Sequence, residues 1–387
     1  MKRSTILLGI ITIMLVISSC SSNTQTPLTS IHIIPNKTLG NYDLANDVEI
    51  SFNMVPLETN DSCLLGNIQR IIYQNNKYYI LDDNHTITIF DTTGNFNSVL
   101  NKQGRAPGEY KSIRDFVVIG DNIWIYDEVN QSLSCFDSNF NKTDELKVQT
   151  TFNNIANVEN TIYCAGKWLG YESKNFQILQ YNTENKKTAQ FMEYPAQNQK
   201  YIAFGKKDQL APSLNNCLFI QPYCDTIFEL VNGTVIPKYQ YNFSERFIDK
   251  RFIEFEEALK AQQNKMIMGI EGIYQTQSSI IIFYVDQQDG RFAIYNKKSG
   301  DCNVYDYQFK NSRLGDLKTM AINFTPNQEL ITIYGAHNLR TYTQEIFDKN
   351  KFQRIEDLQQ IENIIKNLKD DDNPVIFKYK LKEDSKL

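Results

Sequence analysis

The chain has 387 residues and a formal net charge of −5, with its basic residues interspersed among acidic ones. Without a basic excess a nucleic-acid partner is disfavoured, because binding to phosphates depends on surplus positive side chains. The 22 Tyr and 23 Phe, against only 10 Pro, favour a β-rich protein. The length allows one large β domain or two ordinary ones.

The first 20 residues have the layout of an export signal. Lys2 and Arg3 precede an apolar stretch over residues 6–17, which is too short for a comfortable membrane span. The tetrapeptide ISSC that follows resembles the lipobox of bacterial lipoproteins, in which the cysteine thiol receives the lipid. We therefore expect Cys20 to be the lipidated N-terminus of the mature protein, the alternative being an uncleaved anchor.

The residues after Cys20 bear on where the anchored protein resides. No aspartate follows the cysteine directly, and residues 21–26 contain no acidic cluster. The first feature argues against retention in the inner membrane, and the second gives no signal for display on the surface. We expect an outer-membrane lipoprotein on the periplasmic side, with the cell surface left open, and a tether and lead-in over residues 21–45.

Short apolar strands and polar turns alternate in the next part of the chain. A first group of four predicted strands covers residues 69–73, 78–81, 86–90 and 96–100, and a second group covers 115–119, 123–126, 132–136 and 146–149. The segments QNNK and TTGN supply turn residues that tolerate positive φ. Period-2 alternation excludes a helical-repeat solenoid.

The strand groups recur at a nearly constant interval. Phe90 and Phe136 are 46 positions apart, Tyr181 follows after 45 and Phe228 after another 47. Tyr295 comes 67 residues later, because a charged insertion over residues 243–265 intervenes. A period near 45 with four short strands per unit is typical of a β-propeller blade.

The ends of the chain complete this prediction. Strands are predicted at 329–336 and 374–382, and amphipathic helices at 247–260 and 343–368. The segment 48–56 is a strand without a local partner, so we expect it to join the last blade and close the ring. The predicted fold is an all-β, six-bladed β-propeller over residues 46–387, with two helical insertions on one face.

Three segments resemble a known family. GRAPGEYKSIRDF (104–116), YCDTIFEL (223–230) and DDNPVIFKYKLK (371–382) are similar to recurring signatures of six-bladed β-propeller lipoproteins of Gram-negative gut bacteria, which are related to NHL-type propellers. The resemblance covers about residues 48–382 and implies the fold, export and a lipid anchor. Ala106 replaces the middle glycine of the usual G-x-G-P-G-E-Y/F pattern. The family is largely uncharacterised, so no catalytic residue is carried over.

Candidate ligand-binding residues follow from the propeller topology. Loops between the second and third strands of a blade emerge on the same face as the connections between blades, and such loops carry function on a rigid scaffold. This places Asp82, His85 and Asp127, from the loops of the first two blades, near the crossover between those blades. The full candidate set is Asp82, His85, Asp127, Arg105, Glu109 and Tyr110.

Each candidate has a chemical role and a structural alternative. Arg105 offers a planar fork for carboxylates, phosphates or sugar hydroxyls. Glu109 is an acceptor or a cap for backbone amides, and Tyr110 is a stacking platform or a wedge between blades. His85 is an acid/base group or an ordinary turn residue. The crossover is no P-loop, since it lacks the Gly-Lys-Ser/Thr ending.

We expect a binding or scaffold module without cofactor or metal, whose loop-rich face takes a glycan, a peptide or an envelope protein. The alternative is a propeller lyase or hydrolase that uses His85 with Asp82 or Asp127 near a central metal. Beyond Cys20 the six cysteines match no zinc spacing. Cys217 and Cys224 could form a disulfide across a hairpin, or be buried free thiols.

Overall fold

The computed structural model describes residues 28–148, 150–166, 176–193, 208–221, 224–231, 233–244, 255–267, 269–320, 323–325, 329–347 and 355–382. The predicted signal peptide and Cys20 lie outside these residues. Within them the strands form seven sheets, arranged as the blades of an all-β propeller. The predicted count of six blades is therefore wrong.

The first three blades are regular antiparallel sheets of four strands. Blade 1 contains β4 (Ile68–Gln74), β5 (Lys77–Asp82), β6 (Ile87–Asp91) and β7 (Phe96–Leu100); blade 2 contains β8 (Asp115–Ile119), β9 (Asn122–Asp127), β10 (Ser132–Phe136) and β11 (Lys142–Lys147); blade 3 contains β12 (Phe152–Val158), β13 (Thr161–Gly166), β14 (Phe176–Asn182) and β15 (Thr188–Glu193). Each strand pairs with the next along the chain, so the residues just before each first strand and just after each second strand lie at the same end of the sheet.

Three of the four remaining blades recruit a strand from the N-terminal part of the chain, which forms β1 (Thr29–His32), β2 (Tyr42–Asp43) and β3 (Val48–Pro56). Blade 4 contains β16 (Leu210–Pro212), β17 (Cys217–Ile220), β18 (Thr226–Val231), β19 (Thr234–Asn242) and β1; blade 5 contains β20 (Ile270–Gln275), β21 (Ser279–Asp286), β22 (Asp289–Asn296) and β23 (Cys302–Asp306); blade 6 contains β24 (Phe309–Asn311), β25 (Leu317–Thr319) and β2; blade 7 contains β26 (Asn323–Thr325), β27 (Glu329–Tyr334), β28 (Val375–Leu381) and β3.

Blade 6 accounts for the difference in blade number. Its strands are only two or three residues long, which is too short for an alternating pattern. One of them, β2, comes from the distant N-terminal part and pairs in parallel with β24, Tyr42 opposite Phe309. The local sequence near residue 309 therefore contains no pattern that predicts a three-stranded sheet.

The N-terminal strands join sheets far along the chain. β3 pairs antiparallel with β28, Val375 opposite Pro56, at the edge of blade 7. β1 adds to blade 4 in parallel with β19, Thr29 opposite Tyr239. The stretch that the sequence suggested as a lead-in thus contributes two short strands to the propeller.

Four helices occur in the described residues: α1 (Leu44–Asp47), α2 (Phe255–Gln263), α3 (Ala336–Phe347) and α4 (Ile355–Asn367). The helix predicted at 247–260 corresponds to α2, and residues 245–254 lie outside the described part. The helix predicted at 343–368 is two helices, α3 and α4, with the residues between them also outside it. A search of the described chain finds no helix with the length and apolarity needed to cross a membrane.

The apolar core lies between neighbouring blades. Leu81 and Ile87 from blade 1 pack in one cluster with Phe116 and Ile125 from blade 2, and all four are at most 1% exposed. Strands β9 and β10 are almost entirely buried, whereas β11 alternates between half-buried and exposed residues. Neighbouring blades therefore stack through apolar contacts, and the exposed side chains lie on outer strands such as β11 and in the loops at the two ends.

The six described cysteines are free thiols. Cys217 begins β17 opposite Leu230, while Cys224 lies beyond the other end of that strand. The two residues are separated along the strand rather than facing each other across a hairpin. Of the two sequence-based alternatives, buried free thiols are confirmed and the disulfide is wrong.

Candidate functional site on the loop-bearing face

Residues 101–114 connect blade 1 to blade 2 and contact a loop of each blade. The Tyr110 hydroxyl donates a hydrogen bond to the His85 carbonyl oxygen at 2.9 Å, and the Lys111 amide donates to Asp127 Oδ2 at 2.7 Å. The crossover and the two loops therefore meet, as the topology predicts. We call this side, with residues 83–86, 101–114 and 128–131, the loop-bearing face; the opposite side, with turns 75–76, 92–95 and 120–121, is the turn face.

Asp82 and Asp127 are buried groups that hold the loops of this face. Each is the last residue of its blade's second strand and is 1% exposed. Asp82 Oδ2 accepts from the Gly66 amide at 2.9 Å and Oδ1 from the Thr86 hydroxyl at 2.9 Å. Asp127 accepts from the Lys111 amide, as described, and Asp127 Oδ1 accepts from the Asn130 amide at 2.9 Å. Both carboxylates thus fix the segment that enters their blade and the loop of the same blade.

Tyr110 is a wedge between blades rather than an exposed platform. It is 1% exposed, and its ring lies edge-on to Phe136 with centroids 6.0 Å apart. Burial raises the pKa of Tyr110 to about 12, even though the hydrogen bond from the Lys102 amide acts in the opposite direction. Of the two roles considered for Tyr110, stacking platform and wedge between blades, its burial fits the wedge.

Glu109 closes the crossover on itself. Its Oε2 accepts a hydrogen bond from the Ala106 amide at 2.6 Å. A Cβ atom at Gly104 would lie only 1.9 Å from Oε2 and would displace the Glu109 carboxylate, and Gly108 has a φ of +88°, which favours glycine. Ala106 is not among the residues with positive φ, so its replacement of a family glycine needs no unusual backbone.

His85 is also engaged with the crossover. Its backbone is left-handed, with a φ of +59°, and Nδ1 lies 3.1 Å from the Ile113 carbonyl oxygen. The enzyme alternative combines this imidazole with Asp82 or Asp127, whose carboxylates already accept backbone and side-chain hydrogen bonds. Among the described residues no three His, Cys, Asp or Glu side chains are grouped so that they could hold a metal ion.

Arg105 differs from these neighbours. It is exposed and forms no hydrogen bond or ion pair with any residue that the structure describes. Lys111 and Arg114 are also exposed on the same crossover, and only Arg114 is held, by Asn153 Oδ1 at 3.2 Å. Glu109, which lies between Arg105 and Lys111 in the sequence, accepts a hydrogen bond from the backbone. The crossover therefore presents positive charge on a protein whose net charge is negative.

A second polar cluster, which the sequence analysis did not identify, joins first strands of the blades. Arg70 Nη1 on β4 lies 2.8 Å from both carboxylate oxygens of Asp115 on β8. The Tyr274 hydroxyl on β20 donates to Asp208 Oδ2 at 2.8 Å. Burial, followed by the adjacent Asp208 carboxylate, raises the pKa of Tyr274 well above its ordinary value. Arg70 is paired with Asp115 and Tyr274 with Asp208, so these contacts stabilise the packing of the blades.

One signal could have revealed this cluster. Arg70 and Asp115 are 45 residues apart, which is one blade period. Charged residues inside strands that are otherwise apolar, QRIIY and RDFVV, therefore occupy neighbouring first strands. Opposite charges at such positions predict an ion pair between blades.

Comparison with known proteins places the fold. The model of a domain of unknown function, DUF4934, matches residues 31–380. A solved structure of a Bacteroides fragilis protein named "putative exported protein" has a TM-score of 0.67 and 15% identity, and covers 92% of this chain and 100% of that chain. A member of the DUF4221 family from Bacteroides vulgatus has a TM-score of 0.49 and 12% identity, with 87% and 99% covered. No curated protein matches. At these identities the likeness shows the fold alone.

Proposed function

The chain belongs to the DUF4934 family of domains of unknown function, and we propose that it is a lipid-anchored binding module of the bacterial envelope. Its loop-bearing face binds an acidic group of a glycan, peptide or protein through Arg105. The observation that carries this proposal is the contrast within one crossover, where Glu109 and Tyr110 are engaged and Arg105 is exposed without a partner in the described chain.

The chemistry of the crossover supports an anionic partner. A guanidinium group presents a planar fork that matches carboxylate, sulfate or phosphate oxygens. Arg105 lies between Gly104 and Ala106, and the Glu109 carboxylate fixes the Ala106 amide. The backbone below the guanidinium is therefore held in place, which lowers the entropy lost when a ligand binds.

Binding of polyanions tests this proposal. The probes are immobilised polygalacturonate and dextran sulfate, with neutral dextran as the blank. We expect the protein to bind one of the acidic polymers, Arg105→Ala to weaken that binding by about tenfold, and Arg105→Lys to restore part of it, because a charge-assisted contact contributes about 1.5–3 kcal/mol. Lys318→Ala, at an exposed position in blade 6, is the matched control. Equal binding by Arg105→Ala and the unaltered protein overturns the assignment, as does failure of both acidic polymers to bind.

Export and the anchor are part of the proposal. They are supported by the apolar N-terminal segment and the ISSC tetrapeptide, and by the name of the Bacteroides fragilis relative. We place the protein on the outer membrane, with its propeller on the periplasmic side. In a Gram-negative host, palmitate should label the full chain but not Cys20→Ala, and externally added protease should spare the propeller. An unlabelled full chain contradicts the anchor, and digestion in intact cells places the propeller on the surface.

A further inference from the structure

A cleft of about 610 Å³ lies on the turn face, between blades 2 and 3. We call it the blade-junction cleft. Its volume is within the range of small-molecule sites, and it opens on the side opposite to Arg105. Blade 2 contributes Trp124, Thr143 and Asp144, and blade 3 contributes Asn160, Glu184 and Lys186 to its lining.

A lysine of the protein itself occupies the aromatic part of this cleft. Lys186 Nζ lies 5.7 Å from the centroid of the Trp124 ring and forms an ion pair with Asp144. The Tyr181 hydroxyl donates to the same Asp144 oxygen at 3.2 Å, and the Tyr181 ring lies edge-on to Trp124. The ammonium group therefore has an indole face on one side and a carboxylate on the other.

Lys186 is the most accessible side chain of this group. Its side chain is 55% exposed, whereas Trp124 is 3% exposed and the Asp144 side chain 27% exposed. The turn that carries Lys186 is fixed independently, since Asn182 Oδ1 accepts from the Glu184 amide at 3.1 Å. Rotation of the flexible side chain into solvent thus leaves the indole and the carboxylate in place.

The lining specifies the charge of a ligand. An indole face beside a carboxylate is an arrangement that binds organic ammonium groups, because the ring quadrupole and the negative charge act in the same direction. When Lys186 turns away, the named lining residues carry two carboxylates, Asp144 and Glu184, and no cation. The Asn160 amide donates to Glu184 Oε1 at 2.6 Å, which fixes the second carboxylate in the lining of the cleft.

We propose that the blade-junction cleft binds the primary ammonium group of a small amine, which replaces the Lys186 side chain on Trp124 and Asp144. Lys186 then acts as an internal competitor that lowers the affinity of the resting protein. This inference goes beyond the proposed function and rests on other residues on the opposite face, so either can fail without the other.

Tryptophan fluorescence of the soluble chain without its signal tests the inference. The chain has two tryptophans, so Trp168→Phe leaves Trp124 as the single reporter. The probe is cadaverine, with glutarate and glucose as controls. In this background we expect Lys186→Ala to bind cadaverine saturably and about tenfold more tightly than the parent, since the ligand ammonium no longer competes with Lys186 for the indole face and the carboxylate.

Two further variants separate the amine site from a general change of the cleft. Lys186→Met keeps an aliphatic chain against Trp124, so it should bind cadaverine more weakly than Lys186→Ala does. Asp144→Asn, added to Lys186→Ala, should abolish the saturable response while the unfolding midpoint stays close to that of Lys186→Ala. No saturable response in Lys186→Ala, an equal response to glutarate, or unchanged affinity after Asp144→Asn overturns the inference.

Discussion

Truncation of Asp115 tests how firmly the ion pair between blades 1 and 2 holds the propeller. Its side chain is 6% exposed and its two oxygens both lie 2.8 Å from Arg70 Nη1. Oδ1 also accepts from the Phe116 amide at 2.9 Å, and Oδ2 from the Ile155 amide of blade 3 at 2.7 Å. Asp115→Ala therefore leaves two buried amides and one guanidinium group without their acceptor.

The magnitude follows from these partners. An unsatisfied buried donor costs about 1–3 kcal/mol, so the two amides alone account for several kcal/mol. Arg70 keeps some contact with water, because its side chain is 26% exposed, and its share is smaller. Since loss of one member of a buried pair typically costs about 3–5 kcal/mol, we expect Asp115→Ala to lower the free energy of unfolding by about 3–4 kcal/mol.

Removal of the other partner gives a different dependence on pH. Burial raises the pKa of Asp115, and the positive charge of Arg70 opposes that rise. In Arg70→Ala the pKa of Asp115 is higher still, so the folded protein takes up a proton more readily than the unfolded chain. The loss of stability in Arg70→Ala should therefore shrink as the pH falls through this raised pKa, whereas the loss in Asp115→Ala should not shrink through titration of this group.

Urea unfolding, followed by circular dichroism and tryptophan fluorescence at several pH values, measures both losses. The double variant completes a cycle in which the two single losses should not add, because each already breaks the same pair. A loss below about 1 kcal/mol for Asp115→Ala, or additive losses in the double variant, would refute the reasoning from buried partners.

Three other substitutions test individual contacts. Gly108→Ala should lower the free energy of unfolding by about 1–2 kcal/mol through its positive φ alone, since nothing lies within 4 Å of the added Cβ. Thermal unfolding of this variant and of the control Ala106→Gly checks this, and an equal loss of stability in the two variants contradicts it. Tyr110→Phe should cost about 1–2 kcal/mol by leaving the His85 carbonyl without its donor, so an unchanged urea midpoint would count against the wedge. Although partial burial would raise the pKa of Glu145, hydrogen bonds from its two neighbouring lysines lower it to about 2. The ionised Glu145 thus stabilises the folded state by about 1 kcal/mol after allowance for solvent, and this stabilisation is present above the unfolded pKa near 4.5 and lost as the pH falls towards 2. Glu145→Gln should therefore have a lower free energy of unfolding than the unaltered protein at pH 7, and this difference should disappear on acidification. A difference that does not change with pH contradicts the lowered pKa.

Blade 1 shows what sequence alone can predict. Its four predicted strands agree with β4–β7 to within one residue at each end, because buried alternating segments are separated there by strong turn signals. Blade 2 fails at its outer strand, which runs from Lys142 to Lys147 rather than over 146–149. Four of the six residues of the segment KTDELK are charged, and its alternation is between half-buried and exposed positions. Leu146 is the one apolar residue of this strand and packs against the core, and a single apolar residue forms no alternating pattern.

The N-terminal strands and blade 6 show where local patterns end. β1 and β2 pair in parallel with strands more than 200 residues away, and their short length carries no periodicity. Their position depends on the edges that other blades leave open, which is a property of the assembled propeller. The blade count was therefore wrong although the blade period was detected.

The candidate residues illustrate the same limit at the scale of a site. Topology alone brings Asp82, His85 and Asp127 to the crossover, and the structure confirms that meeting. Their roles depend on which backbone amides lie within hydrogen-bonding distance, and the sequence alone does not predict which amides those are. In the folded protein the carboxylates of Asp82 and Asp127 accept hydrogen bonds from backbone amides, and the Glu109 carboxylate accepts one from its own turn. A ligand can compete for such groups only by dismantling the loop that presents them. The proposed role of Arg105 avoids that cost, because its exposed side chain has no partner in the described chain that a ligand would have to displace.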